Sequence, residues 1–139
     1  MGLLADFFLC RDDDDAIRYD EKPTSFAERL ELRGLTELEL STLWAIMRGA
    51  EWDVSMLDDF PPVLVRDGGE RTIHRLPDAF VANLTKLSPT DTPAVASKWA
   101  ATDELACEAD DLVPIIEGLR TFALKASETQ KHVYLWNCV

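Results

Sequence analysis

The stretch GLLADFFLC, residues 2–10, decides how the fold is read. Leu3, Ala5, Phe7 and Leu9 form one alternating face and Leu4 and Phe8 the other, with only Asp6 interrupting. Nine residues, apolar on both faces and bounded by charge, predict a strand covered on both sides. Residues 132–139, HVYLWNCV, repeat the pattern: Val133, Leu135 and Val139 lie on one face, and Tyr134, Trp136 and Cys138 on the other. Two terminal strands this apolar predict central, neighbouring places in one sheet.

Between them the signals are mostly helical. Asp12–Glu21 reads as a short helix, because a run of Asp suits a positive helix N-terminus, and Pro23 closes it. Glu28–Arg33 alternates charge with Leu30 and Leu32, as a half-exposed strand does. Thr36 and Glu39 form a capping box ahead of Leu40, Leu43, Trp44 and Met47 at helical spacing, and Gly49 ends that helix. Asp67-Gly68-Gly69 predicts a hairpin between Val63–Arg66 and Glu70–Arg75, whose second arm is polar enough to expect at a sheet edge. Three further helices follow. They open at Pro77, at Thr92-Pro93 and at Asp110 or Asp111, with Pro114 expected in the first turn of the last.

This order predicts an α+β fold: a small mixed β-sheet including both chain termini, covered by about five helices. At 139 residues the chain is read as one domain, residues 1–139. Its 47% hydrophobic content is too high for disorder despite the charge.

Composition excludes more than it selects. Asp and Glu number 26 against 14 Lys and Arg, a formal charge of −12. Such a chain repels phosphate backbones and anionic lipid, so neither nucleic acid nor membrane is expected as a partner. No apolar run reaches the length of a membrane span. The first ten residues lack a basic n-region, carry Asp6 and run into Asp12–Asp15, and Gly2 has Asp6 where a myristoylation signal wants Ser or Thr. Cys10, Cys107 and Cys138 are scattered, with no CxxC pair, which fits reduced thiols and a cytoplasmic protein.

Most candidate sites have a structural reading that suffices. Asp12–Asp15 fails as a calcium loop, because the fifth, sixth and twelfth positions are Ala16, Ile17 and Pro23. Cys10, Cys107, Cys138, His74 and His132 have no ligand spacing, so no metal is expected. The acids around Cys107, including Asp103, Glu104, Glu108, Asp110 and Asp111, oppose a thiolate there. GxSxG, GxGxxG and GxxxxGK[ST] patterns are absent, and no cofactor is expected.

Two places remain. Asp6 in an apolar strand must find hydrogen bonds or shift its pKa. Either it accepts from backbone amides or an Arg and serves only structure, the commoner case, or Asn137 with His132 on the last strand are its companions in a small polar site. The other place is Glu51–Phe60, which mixes acids and apolar residues without a clean period. There Trp52 with Asp53, Asp58 and Asp59 makes an aromatic anchor among acids, suited to a basic partner, although a loop Trp more often folds back over the core. The leading expectation is a non-enzymatic acidic protein-binding module, of the inhibitor or immunity type, docking a basic protein. The alternative is a small enzyme whose site assembles around Asp6 from distant residues. A nucleic-acid mimic needs acids at phosphate-like spacing along one face, and the sequence shows no such spacing.

Overall fold

A computed structural model describes residues 3–102, 105 and 107–139 of the chain. Gly2, expected at the start of the first strand, and Asp103 and Glu104, expected beside Cys107, lie outside the described residues.

Five strands form one sheet: β1 (Leu4–Cys10), β2 (Arg29–Arg33), β3 (Pro62–Arg66), β4 (Arg71–Arg75) and β5 (His132–Cys138). Their order is β2-β1-β5-β4-β3, so the two terminal strands are neighbours and β5 is central. Every pairing is antiparallel. The sheet is therefore not mixed, and strand direction after a long helical connection is something hydrophobic periodicity does not encode. The expected edge is also displaced. β4 lies between β3 and β5, and the more apolar β3 is the edge. Arg71 and Arg75 of β4 are accommodated because they meet acids on one sheet face, while Ile73 between them is fully buried.

The α-helices are α1 (Asp13–Ile17), α2 (Glu37–Arg48), α3 (Asp78–Lys86), α4 (Thr92–Ala100) and α5 (Ala109–Thr129). Asp12 caps α1, its carboxylate accepting the Asp15 backbone N–H at 2.8 Å. The Thr36–Glu39 capping box of α2 is fully formed, and Gly49 terminates the helix at φ 66°. Helix α5 begins earlier than expected, with Glu108 at its N-cap, so Pro114 falls inside the helix rather than in its first turn.

Two cores lie on opposite sides of the sheet. Helices α2–α5 cover one face, where Ala5, Phe7, Leu9, Val133 and Leu135 meet Leu40, Leu43, Trp44, Trp99, Ile116 and Leu119. Met47, Ile115 and Phe122 pack against that core while only partly buried. The other face carries a thinner layer made by residues 12–26. There Phe8, Tyr19 and Tyr134 are fully buried, with Phe26 and Trp136 packed beside them.

Candidate functional site

The segment after α2 is pinned from below and exposed above. Asp53 caps a 3₁₀ turn over Val54–Asp59, its carboxylate accepting the Ser55 N–H at 3.0 Å. Met56 and Phe60 are buried beneath it. The Phe60 ring sits 6.1 Å from Trp44 and 5.8 Å from Phe80, and the Arg48 guanidinium lies 4.1 Å over Trp44. With both ends of the turn held, Trp52 and Val54 face outward at 38% and 64% exposure. Trp52 is nonetheless fixed, because its indole N–H donates to Ser41 Oγ at 2.9 Å. Its ring forms one wall of a groove of about 360 Å³ with Ala45, Ile46, Ala50, Ala101 and Thr102. Glu51, Asp53, Asp58 and Asp59 are all exposed around it.

Asp6 lies on the opposite side of the sheet from the α2–α5 layer. It stands across from Trp136 on β5 and Glu31 on β2, and accepts the Tyr19 hydroxyl at 2.8 Å. Burial raises its pKa, the Tyr19 hydrogen bond opposes that rise, and Glu31 adds to it. The carboxylate borders a hollow of about 390 Å³ together with Leu4, Arg29, Glu31, Arg33 and Trp136. Its expected companions are elsewhere. Asn137 pairs with Ala5 and is buried on the helix-covered face, where its amide donates to the carbonyls of Leu4 at 3.0 Å and Leu35 at 2.9 Å. His132 shares the Asp6 face but stands opposite Cys10, at the far end of the strand pair. Asp6, Asn137 and His132 do not come together.

His132 has its own surroundings. Its Nδ1 is 3.3 Å from Asp78 Oδ1, and Arg75 approaches both ring nitrogens, at 3.0 and 3.2 Å. Tyr134 donates to Asp13 at 2.7 Å nearby.

Two further polar groups, Asp20 and the His74 already weighed as a metal ligand, have surroundings that the sequence does not signal. Asp20, its side chain 1% exposed, accepts from Trp136 and Arg71 at 2.8 Å and from Arg66 at 2.9 Å. Burial works against its carboxylate, but these three donors outweigh burial and hold its pKa below the usual value. His74 is buried on the helix-covered face with Nδ1 unpartnered and Glu37 3.8 Å away. Desolvation lowers its pKa against the opposing pull of Glu37. The alternation of β5 does place Trp136 on the Asp6 face. Nothing local, however, brings Asp20 to Arg66 and Arg71, which lie 46 and 51 residues away.

Cys10 is buried and its thiol is pushed up to about 12, chiefly by desolvation, which makes it inert at neutral pH. Among the described residues no group of three His, Cys, Asp or Glu side chains is placed to hold a metal ion. Among them, too, no helix is long and apolar enough to cross a membrane. The site geometry thus offers an apolar–acidic surface at 51–59 and a lone acid beside a tyrosine on the other side of the sheet. No family model, curated protein or solved structure matches the chain.

Proposed function

We propose that the protein is a non-enzymatic binding module that docks a basic protein partner through the segment 51–59. The observation that carries this reading is the clustering of exposed apolar side chains among acids. Four large hydrophobic side chains among the described residues are exposed, and two of them, Trp52 and Val54, stand with Glu51, Asp53, Asp58 and Asp59. A fixed indole is an efficient anchor, because its hydrogen bond to Ser41 has already removed part of the ordering cost of binding. The net charge of −12 steers a cationic target toward it and opposes nucleic acid. An inhibitor or immunity-type protein acting on a basic enzyme fits this size and charge. Free thiols at Cys10, Cys107 and Cys138 suit a cytoplasmic setting.

Affinity capture from the source cell at low and high salt, followed by kinetics on the captured protein, tests the reading. Asp53→Lys with Asp58→Lys should slow association and flatten its salt dependence. Trp52→Ala should speed dissociation, at a cost of about 2 kcal/mol. A partner indifferent to salt and to all three substitutions would mean the acids are only a solvated coat.

One observation favours the enzymatic alternative: Asp6 has a raised pKa and borders a hollow. With Asn137 and His132 placed elsewhere, that site would rest on Asp6, Tyr19 and Arg29. Any hydrolytic turnover found with generic ester, phosphoester or glycoside substrates should vanish in Asp6→Asn, and turnover that survives the substitution removes this reading.

A further inference from the structure

The two edges of the sheet are built differently. Edge strand β2 reads Arg29-Leu30-Glu31-Leu32-Arg33, with every charged residue exposed, a composition that discourages another strand from pairing. Edge strand β3 reads Pro62-Val63-Leu64-Val65-Arg66, and Val65 is 60% exposed. Its single cation, Arg66, is already engaged by Asp20 at 2.9 Å and Glu21 at 3.4 Å. β3 therefore presents no free positive charge.

The register shows which backbone groups of β3 are open. On β4, the Arg75 N–H bonds to Pro61 O, toward β3. On the other side, Leu76 N–H bonds to Val133 O and Glu70 O accepts from Val139, toward β5. Odd-numbered residues of β4 thus face β3 and even-numbered ones face β5, as alternation in an antiparallel ladder requires. Leu64 and Arg66, opposite Ile73 and Arg71, turn their backbone groups inward to β4. Val65, opposite Thr72, turns its N–H and C=O outward. Among the described residues, no backbone hydrogen bond from outside the β3–β4 pair reaches Val63–Arg66.

Acids frame this open edge. Asp58 and Asp59 precede the strand and Glu70 lies in the turn between β3 and β4; all three are exposed, and none is in an ion pair among the described residues. We infer that β3 receives an extended, lysine- or arginine-bearing segment of the partner as a sixth strand, paired through the Val65 backbone, with its cations set against Asp58, Asp59 and Glu70. This inference rests on the binding reading and supplies its mode: main-chain pairing gives adhesion and the flanking charges give selectivity. A second copy of the chain is disfavoured as occupant, because two bodies of charge −12 would have to meet edge to edge.

The test uses the full-length protein and a synthetic eight-residue peptide alternating valine and lysine. Two controls accompany it, one with glutamate for lysine and one N-methylated at alternate residues. Titration followed by amide NMR should shift Val63 and Val65, and both controls should bind at least tenfold more weakly. Val65→Pro removes the outward N–H and leaves the β3–β4 bonds alone, so it should weaken the lysine peptide at least tenfold at an unchanged melting temperature. Val65→Lys keeps the N–H but repels the peptide, and should weaken it comparably, which covers a proline variant that fails to fold. Equal binding by the N-methylated peptide, or shifts confined to other elements, would overturn strand addition. So would dimerisation of the native protein that Val65→Pro abolishes. The two readings fail separately. Binding lost in Trp52→Ala yet indifferent to Val65→Pro and Val65→Lys removes the strand addition and keeps the module, whereas no salt-dependent binding to the native protein removes both.

Discussion

Phe7 and Phe8 are consecutive, both fully buried, and enter cores of different construction. Phe7 joins the helix-covered core, a deep layer filled largely by aliphatic side chains with Trp44, Phe80 and Trp99 among them. Phe8 joins the thin layer under residues 12–26, stacked 4.2 Å from Tyr19 and 5.5 Å from Tyr134, with Phe26 edge-on at 5.3 Å. The first core is held by volume, with few charges. The second is held by aromatic faces and by a carboxylate pinning the 3₁₀ turn Arg18–Asp20 to β3, β4 and β5. A sheet can thus be covered twice by different physics, one side robust to pH and the other dependent on ionised groups, with His74 the exception on the robust side.

The largest expected effect is the loss of either phenylalanine. Phe7→Ala should cost about 3–5 kcal/mol in urea unfolding, the range for a large cavity in a packed core. Phe8→Ala should cost about 3 kcal/mol and also release amides of residues 12–26 to hydrogen exchange while the helices stay protected. Equal loss of protection everywhere would mean the two layers unfold as one, and the contrast would collapse.

Next in size is Asp20→Asn. It leaves Trp136, Arg71 and Arg66 facing a neutral amide and should cost about 2 kcal/mol at neutral pH. The folded pKa of Asp20 lies below 3.8, so its contribution is complete above 3.8 and is lost as pH falls through the folded value. Native and Asp20→Asn proteins should therefore converge in stability in strong acid; a gap that persists there would point to shape rather than charge.

His74 sharpens the comparison in a different pH window. Its folded pKa is below 6.5, so the unfolded chain takes up the proton first, and stability should fall as pH drops below 6.5 until the folded value is reached. His74→Leu should flatten that slope, and thermal melts across the range check it. The helix-covered layer is then the first to lose stability in mild acid, through one buried ring, and the thin layer loses stability where Asp20 titrates, while Asp6, with its raised pKa, acts in the opposite direction.

The smallest effect belongs to Asp6→Asn. Its pKa is raised, so the ionised form already costs the folded state something at neutral pH, and an amide oxygen still accepts from Tyr19. Stability should change by no more than about 0.5 kcal/mol. A larger loss would show that the charge itself, with Arg29 nearby, helps hold the thin layer.

The amino-acid order alone determined whatever depends on near neighbours. Apolar runs at 2–10 and 132–139 gave the two buried strands through their composition alone, and Thr36 with Glu39 gave the start of α2 and Asp67-Gly68-Gly69 the hairpin because the contacts those two need lie within a few residues. The tertiary structure decided strand direction, the interior place of β4, and which face each polar residue occupies. Asp6 and Asn137 look like a pair along the sequence. The register sets Asn137 against Ala5 instead of Asp6, and one step of a period-two strand is enough to put them on opposite sides of the sheet. Asp20 reads as one acid in a solvated run until the fold brings Arg66, Arg71 and Trp136 to it. The state of a buried charge depends on partners distant along the chain, and a local pattern carries no record of them.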